Sequence, residues 1–254
     1  MQENEHEYYE KIGNWEFDKI KYKTEKLTDW DFYEKIKEYT DKKSVCLDLG
    51  TGGGEKVLKY YPEVGKIYGT DFAQEMIKTA KENAKMHPNR NVEFLKMDNL
   101  NMEFPDKIFD LISARHTIIN AKQIYNALKD NGILVVEGVN KKDCWELKKI
   151  FGRGQAFFDK VEISEKDYND LKEVGFTKIE LFEVLENEYY ETEEDLLALL
   201  LKTPILDDFS EEDNSEFIHK KEIEKDLFDE YVNRYKTNKG ILLKRVLYGI
   251  VAMK

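Results

Sequence analysis

Acidic and glycine residues follow three apolar runs of this chain, in an order that suggests one ligand site. The first run, 45–49, contains Asp48 and breaks into the turn Gly50-Thr51-Gly52-Gly53-Gly54. Asp71 follows the second run and Asp98 follows the third. Glycines let backbone amides approach a ligand closely, and carboxylates accept hydrogen bonds from hydroxyl and amino groups. The spacing therefore predicts a turn that holds a cofactor, with further carboxylates beside it.

The elements that must position these residues alternate between apolar runs and helical patterns from residue 44 onward. This alternation is typical of βαβ units and a parallel sheet, whose strand carboxyl ends form the ligand crevice. We predict strands at 45–49, 66–70, 92–96, 108–114, 132–139, 176–190 and 241–253. We predict helices at 29–40, 55–61, 73–84, 119–129, 165–174, 193–201 and 215–236. The fold class is therefore α/β, with the three acidic positions facing one crevice.

Three ordered motifs resemble those of the class I S-adenosylmethionine-dependent methyltransferases, and more narrowly the small bacterial members of unassigned substrate. They are Asp48-x-Gly50-x-Gly52-x-Gly54, the acid at Asp71, and Asp98-Asn99 after a third strand. The resemblance covers roughly 44–140 and extends more weakly to the last strand. Residues 128–134 also resemble the family's helix-to-strand turn, although Asp-Asn replaces the common Pro-Gly. The resemblance implies a Rossmann-like three-layer sandwich with a seven-stranded, mostly parallel sheet whose last strand is antiparallel, and S-adenosyl-L-methionine as the cofactor.

The resemblance also implies a role for each matching residue. The glycines of the turn would let the chain pass the methionyl moiety closely, and Asp48 would hold the turn and the ammonium group. Asp71 would accept hydrogen bonds from both ribose hydroxyls. Asp98 would receive the adenine amino group, with Phe72 and Asn99 flanking the ring. The full set of cofactor-binding residues implied in this way is Asp48, Gly50, Thr51, Gly52, Gly54, Asp71, Phe72, Met76, Asp98, Asn99 and Ala114.

Other interpretations of the same residues stay open. A nicotinamide-binding Rossmann protein would also carry a glycine-rich turn, but its fingerprint is Gly-x-Gly-x-x-Gly, and Glu55 stands where the third glycine would fall. Asp71 could serve only as a helix N-cap, with Gln74 three residues later. Asp98 could be a turn aspartate.

Arg115 and His116 follow the fourth predicted strand at the same edge of the sheet, which makes them the candidates for catalysis. Methyl transfer from a sulfonium mainly requires alignment of the nucleophile, and a base is needed only if the acceptor is protonated. Histidine titrates near neutral pH, so His116 is a candidate catalytic base, and Arg115 is a candidate contact for an acidic substrate. A structural role is the alternative for both. No cluster of His and Cys has metal-ligand spacing, so we expect no metal.

The charge and two missing motifs narrow the expected substrate. A formal net charge of −12 argues against a broad phosphate-binding surface, so a nucleic-acid partner is not expected. The fourth strand ends Ser113-Ala114-Arg115-His116, without the Asn/Asp-Pro-Pro-aromatic motif that this family associates with amide or exocyclic amino groups. It also lacks the Pro-Cys of cytosine C5 methylation. We therefore expect a small-molecule substrate; the alternatives are an RNA or protein methyltransferase and a non-catalytic S-adenosylmethionine-binding module.

Two segments outside the core are candidates for covering the crevice. Residues 1–43 form an N-terminal cap rich in aromatic and charged residues, and 191–239 form a helical insertion. The methyltransferase core is then 44–190 and 240–254. Together the cap and the insertion would roof a substrate pocket. The alternative is a packing or dimerisation element without ligand contact, because amphipathic helices usually only bury a face.

The cysteine content and the apolar runs bear on the compartment. Only Cys46 and Cys144 occur, so a disulfide framework is not expected and a reducing compartment fits. The N-terminus lacks the basic and apolar regions of a signal peptide, and the longest apolar run, 196–201, is too short to span a bilayer. We expect a cytoplasmic enzyme with no membrane partner, and leave the oligomeric state open.

Overall fold

The fold is organised around one mixed β-sheet. The computed structural model describes residues 4–12, 19–88, 91–209 and 217–254. Within these residues the strands are β1 (Tyr22–Lys26), β2 (Val45–Leu49), β3 (Lys66–Asp71), β4 (Val92–Lys96), β5 (Phe109–Arg115), β6 (Leu128–Val139), β7 (Thr177–Tyr190), β8 (Lys236–Thr237) and β9 (Gly240–Met253). Their order in the sheet is β1-β7-β9-β6-β5-β2-β3-β4, and β8 pairs with β9.

The order of the parallel strands reverses at β2. The strands β2 to β6 run parallel, with β3 on one side of β2 and β5 on the other. Such a switch point opens a crevice at the carboxyl ends of the strands. The last strand, β9, is antiparallel to both of its long neighbours, β6 and β7. The seven predicted strands and the antiparallel last strand are therefore confirmed.

Two further strands are not predicted by the sequence pattern. β1 pairs antiparallel with the end of β7, and the two-residue β8 pairs with the start of β9. All five residues of β1 are exposed. An edge strand without a buried face carries no apolar alternation, so the pattern on which strand prediction relies is missing.

Helices cover both faces of the sheet and give the expected three layers. They are α1 (Glu5–Ile12), α2 (Phe32–Glu38), α3 (Glu55–Tyr60), α4 (Gln74–Ala84), α5 (Ala121–Ala127), α6 (Trp145–Phe151), α7 (Ile163–Val174), α8 (Glu193–Lys202) and α9 (Lys225–Tyr235), with a short 3-10 helix at Pro204–Leu206. Apolar residues of α2 and α3, such as Ile36 and Val57, are buried in one cluster. Those of α5 and α7, such as Ile124 and Leu171, are buried in another. None of the described helices is both long and apolar enough to cross a membrane.

The spacing of Thr28 and Asp31 predicts a capping box at the start of the helix at 29–40, but in the structure the helix begins later, at Phe32, because Asp31 caps it. The carboxylate of Asp31 accepts hydrogen bonds from the backbone amides two and three residues later, which is the geometry of an N-cap. Asp31 therefore starts α2 and is not the third residue of a capping box. The hydroxyl of Thr28 instead accepts a hydrogen bond from the amide of Leu185 on β7.

The junction between α5 and β6 also differs from the prediction. The helix ends at Ala127 and the strand begins at Leu128, whereas the sequence predicts a helix to residue 129 and a strand from 132. Leu128 is fully buried and pairs with Phe109, and this burial brings the chain into the sheet early. The pair Asn131-Gly132 predicts a left-handed stop of the helix. Asn131 does have a left-handed φ of +63°, but it lies at an irregularity of β6 and not at a helix end.

Two helices near the insertion differ from the prediction. The connection after the fifth predicted strand contains a helix that the sequence pattern does not predict, α6, which buries Leu147 and Phe151 and ends at the turn of Gly152. The predicted helix at 215–236 starts only at Lys225; before it, Ile218 forms an isolated bridge with Asp208. Residues 13–18 of the predicted cap and 210–216 of the predicted insertion lie outside the described residues.

The insertion is built on the extended ends of β7 and β9. These strands pair from Thr177 and Met253 up to Tyr190 and Ile241, beyond the end of β6. Helices α6, α8 and α9 pack there around a separate apolar cluster. The long strand pair therefore holds the insertion at the edge of the sheet where the parallel strands end.

Candidate active site

The glycine-rich turn leaves the carboxyl end of β2 in left-handed conformations. Gly50, Gly52 and Gly54 have φ values of +69°, +56° and +76°, which L side chains rarely adopt. A Cβ atom on Gly50 would lie 2.7 Å from the Cβ of Thr117. Glycine at position 50 therefore lets the turn pass close to the segment that follows β5.

Asp48, near the end of β2, is a buried carboxylate with hydroxyl neighbours. Its Oδ1 accepts a hydrogen bond of 2.7 Å from Ser113 Oγ, and that hydroxyl lies 3.1 Å from the Tyr61 hydroxyl. Burial raises the pKa of Asp48 to about 6, although the hydrogen bond from Ser113 and the charge of Arg115 act in the opposite direction. No salt bridge joins Asp48 to a basic residue in the described part of the chain, so a cationic ligand group would compensate its charge.

Asp71 ends β3 and holds the glycine turn. Its Oδ2 accepts a hydrogen bond from the amide of Gly52, and its Oδ1 accepts one from the amide of Ala73, both 3.0 Å long. Burial raises its pKa. Asp71 is not the N-cap of α4, because Ala73 occupies the cap position. A carboxylate has about four lone-pair sites, so each oxygen of Asp71 keeps acceptor capacity for a hydroxyl of the ligand.

Asn99 and Asp98 follow β4 but point to different surroundings. Asp98 is exposed, and its oxygens accept hydrogen bonds from the amide of Leu100 and the side chain of Asn101. Asn99 is buried and donates a hydrogen bond of 2.9 Å to Thr117 Oγ1. The buried residue at this strand end is therefore Asn99, while Asp98 makes the contacts of a turn aspartate.

The other predicted cofactor contacts lie around the turn. Phe72 is half-buried, and its ring lies edge-on to that of Tyr9 on α1, with centroids 5.5 Å apart. Met76 on α4 and Ala114 on β5 are buried. The Oγ1 of Thr51 is also buried, and this hydroxyl acts with that of Ser113 to lower the pKa of Asp48.

Arg115 and His116 lie at the end of β5 beside a buried carboxylate of β6. The Nε of Arg115 donates a hydrogen bond of 2.7 Å to Glu137 Oε1, and His116 Nε2 is 3.4 Å from the same oxygen. Trp30 Nε1 donates to Glu137 Oε2 at 2.7 Å. Burial would raise the pKa of Glu137, but Arg115 and these donors hold it below its usual range.

The backbone at His116 is unusual. Its φ is +53°, which is uncommon for a residue other than glycine, and its amide donates to the Glu137 carbonyl at 2.8 Å. Residues in sparsely populated conformations cluster at functional sites. The structure thus brings both predicted catalytic candidates together with Glu137 and Trp30, which sequence reasoning missed. The available signal was a single carboxylate inside the most apolar predicted strand.

The first helix and the insertion meet near the glycine turn. The carboxylate of Glu10 on α1 accepts the amides of Gln74 and Glu75 at the start of α4. On the other side of α1, the ring centroid of Tyr8 is 4.4 Å from that of His219 in the insertion. Sequence reasoning also missed Glu10, which caps a helix 64 positions away.

The described residues fit the cofactor that the resemblance implies. The carboxylates of Asp48 and Asp71 are close enough for the charge of Asp71 to raise the pKa of Asp48. One of them lacks a cationic partner and the other keeps acceptor capacity, which suits a ligand that carries both an ammonium group and hydroxyls. Among the described residues, no group of three or more His, Cys, Asp and Glu could hold a metal ion.

Comparison with protein families and curated sequences relates the chain to methyltransferases. A family model described as a methyltransferase domain matches residues 40–194. The 2-phytyl-1,4-naphtoquinone methyltransferase of Nostoc punctiforme is 32% identical over 91 residues, which cover 34% of this chain and 40% of that protein. The demethylmenaquinone methyltransferase of Lactococcus lactis is 25% identical over 166 residues, covering 53% and 66%. The chain thus spans less than two thirds of the length of each relative.

A comparison with solved structures supports the fold. The YcgJ protein of Bacillus subtilis aligns with a TM-score of 0.57 at 14% identity, over 87% of this chain and 96% of that one. At this identity the likeness concerns the fold, and it agrees with the Rossmann-like arrangement described above.

Proposed function

The chain belongs to the methyltransferase domain family, and from that premise we propose that it is an S-adenosylmethionine-dependent methyltransferase acting on a small molecule. The observation that carries the proposal is the meeting of the left-handed glycine turn, Asp48 and Asp71 at the switch point of the sheet. A ligand with a cationic amino acid end and a ribose satisfies all three.

Each residue of the crevice has a distinct task in this proposal. The glycine turn and Asp48 hold the methionine end, where the buried carboxylate pairs with the ammonium group. Asp71 accepts the two ribose hydroxyls with its remaining lone pairs. Phe72 and Asn99 flank the adenine, and Asp98 accepts its amino group from the exposed side.

The catalytic contribution of this chain is mainly alignment. When bound, the cofactor supplies a methyl group that its sulfonium has already activated. Holding a nucleophile in line with that group can provide an effective molarity of about 10⁵ to 10⁸ M. The rigid strand ends that carry Asp48, Asp71 and Ala114 suit this task, because they fix the cofactor at three points.

A small acceptor is favoured by the contacts above the crevice. Contacts of α1 with both α4 and the insertion would restrict the entrance, which suits a small molecule better than a macromolecule. The predicted cap and insertion would then form the roof of the substrate pocket. Two relatives are named as methyltransferases of naphthoquinone and demethylmenaquinone, so naphthalene-type quinols are the first acceptors to test.

The cytoplasm is our proposed location. Both cysteines, Cys46 and Cys144, are free and buried. This agrees with a reducing compartment, where disulfides are rare.

Calorimetry tests the cofactor site directly. We expect S-adenosylmethionine and S-adenosylhomocysteine to bind the wild-type protein, and Asp71→Ala to lower both affinities by about tenfold or more, because the ribose loses hydrogen bonds worth about 0.5–1.5 kcal/mol each. Asp130→Ala, an exposed carboxylate paired with Lys107, is the control and should bind normally. Absence of binding to the wild-type protein would refute the proposed function, and unchanged affinity in Asp71→Ala would refute the site.

A further inference from the structure

His116 is fixed beside the part of the crevice assigned to the methionine end of the cofactor. The next residue, Thr117, lies against Gly50 of the turn, and its hydroxyl accepts a hydrogen bond from Asn99. About a third of the His116 side chain is exposed. The ring therefore lies where an acceptor approaching the methyl group can meet it.

Glu137 selects the tautomer of His116. An ionised carboxylate only accepts hydrogen bonds, so the proton of a neutral His116 ring belongs on Nε2, which faces Glu137 Oε1 at 3.4 Å. Nδ1 then keeps its lone pair. Arg115 and Trp30 hold the two oxygens of Glu137 in place, which makes Glu137 a positioning residue for the imidazole.

The charged groups around His116 keep it neutral. They are Arg115 at the end of β5, Glu137 on β6 and Arg245 on β9; Tyr33 of α2 interacts electrostatically with Arg115. Burial, Arg115 and Arg245 lower the pKa of His116, while Glu137 acts in the opposite direction. At pH 7 the ring is therefore in the form that can accept a proton.

Arg115 offers a fixed positive charge next to this ring. Its Nε is used by Glu137, but its two Nη groups make no hydrogen bond within the part of the chain that the structure describes. Its charge acts on Asp48 and on Tyr33, and about a third of its side chain is exposed at the carboxyl end of β5. A neutral base beside a permanent cation is the arrangement that generates and stabilises an anion.

From this juxtaposition we propose that the acceptor carries a phenol- or enol-type hydroxyl, that His116 is the catalytic base that removes its proton, and that Arg115 pairs with the resulting oxyanion. The inference rests on the proposed function and deepens it by naming the substrate class. Methylation of an acceptor that needs no deprotonation would not require a base such as His116, positioned by Glu137.

In this reaction the acceptor loses a proton and gains a methyl group. The hydroxyl O–H bond of the acceptor breaks, and its proton moves to His116 Nδ1. The oxygen, or a ring carbon conjugated with it, forms a bond to the methyl carbon while the bond from that carbon to sulfur breaks and leaves its electron pair on sulfur. If carbon accepts the methyl group, that carbon then loses its own proton to water and the oxygen takes a proton back, so that one proton is released overall. His116 returns its proton to water at the exposed side of the ring.

Methyl transfer from labelled S-adenosylmethionine to two probes tests the base. The probes are naphthalene-1,4-diol, which must lose a proton, and pyridine, whose nitrogen carries none. Asn tolerates left-handed backbone, so His116→Asn is the variant of choice. We expect its kcat for the diol to fall about 100-fold or more at pH 7, and to recover above pH of about 10, where a phenolic hydroxyl ionises by itself. His87→Asn, an exposed histidine, should behave as wild type.

Two further variants separate the roles of the neighbours. Arg115→Met should raise KM or lower kcat for the diol and leave cofactor affinity unchanged; a loss of cofactor affinity instead would mean that Arg115 holds the cofactor carboxylate, which overturns its assigned role. Trp30→Phe removes one donor to Glu137 without removing its charge. It should shift the pH dependence of kcat, which a purely structural role would leave in place.

The outcomes distinguish this inference from the proposed function. If the wild-type protein does not bind S-adenosylmethionine in calorimetry, both the proposed function and this inference are refuted. If the cofactor binds but pyridine is methylated as readily as the diol, or the diol is not methylated at all, the inference is overturned and the proposed function stands. The same conclusion follows if His116→Asn keeps the wild-type rate at pH 7.

Discussion

Replacing Asp48 with Asn should stabilise the free protein and weaken cofactor binding at the same time. Burial raises the pKa of Asp48 from its ordinary 3.8 to about 6. A protonated Asp48 favours the folded state. This stabilisation is fully present below the ordinary pKa of Asp48 and is lost as the pH rises through about 6. The ionised carboxylate therefore destabilises the free protein at pH 7, and in the proposed site an ammonium group of the ligand would offset this destabilisation.

The size of the stabilisation by Asp48→Asn follows from the pKa shift of Asp48. Each pKa unit corresponds to about 1.36 kcal/mol, so the full penalty is about 3 kcal/mol at pH 7 and about half of that at pH 5. Asn is neutral at both values, and any constant cost of burying its amide cancels in the difference. The stabilisation by Asp48→Asn should thus be about 1.5 kcal/mol larger at pH 7 than at pH 5, which corresponds to roughly 3–6 °C in Tm.

Thermal unfolding measures the change in stability, and calorimetry measures the change in cofactor affinity. For the wild-type protein, binding requires the ionised form of Asp48, so affinity for S-adenosylmethionine should be about tenfold weaker at pH 5 than at pH 7. Asp48→Asn should lose this part of the pH dependence. Its affinity at pH 7 should fall by about ten- to hundredfold, because a charged hydrogen bond is worth about 1.5–3 kcal/mol.

Asp167 provides a matched control. Burial also raises its pKa to about 6, and it accepts a hydrogen bond of 2.5 Å from the Tyr248 hydroxyl, but it lies on α7. Asp167→Asn should show the same pH-dependent stabilisation with unchanged cofactor affinity. Equal stabilisation of Asp48→Asn at both pH values would refute the assigned ionisation, and a loss of affinity in both variants would show that binding merely follows stability.

Three other substitutions test the turn, a buried ion pair and the contacts of α1. Gly50→Ala should weaken cofactor binding and lower the Tm more than Gly152→Ala does. Gly152 has a similar φ of +65°, but a Cβ added there would have no atom within 4 Å, so its variant carries only the backbone strain of about 1–2 kcal/mol. Arg245→Met should reduce the free energy of unfolding by about 3–5 kcal/mol in denaturant titrations, because it leaves the buried Asp143 without its partner at 2.9 Å; a change below about 1 kcal/mol would contradict this. Tyr8→Ala should speed proteolysis within α1 and raise KM for the acceptor, because it removes the ring contact with His219. The exposed Tyr39→Ala should change neither quantity. If Tyr8→Ala is protected from proteolysis as well as wild type is, the contact between Tyr8 and His219 does not hold the helix.

The residues of the proposed cofactor site could be placed together from the sequence because their positions depend on local patterns. Asp48, the glycine turn and Asp71 follow strands whose apolar pattern is clear, and chain order alone brings parallel strand ends together. The same logic applies to Arg115 and His116. It does not predict that the Asp98 carboxylate also accepts hydrogen bonds from its own loop, and the contact of Asp98 with the adenine stays a proposal.

The remaining features depend on contacts between distant parts of the chain. The bond from Trp30 to Glu137 joins residues 107 positions apart, and no local pattern marks either as a partner of the other. The sequence also shows nothing apolar in β1, since both of its faces are exposed. Helix α6 escapes prediction because its few buried residues are covered by the later insertion.

The contact between Tyr8 and His219 has a consequence for protein engineering. Its two residues lie at opposite ends of the chain, yet each supplies part of the other's packing surface. A chimera that exchanges only the insertion with a relative would leave α1 facing a foreign surface. Transplanting acceptor preference between relatives should therefore require moving both segments as a matched set, while the glycine turn and its carboxylates can stay as they are.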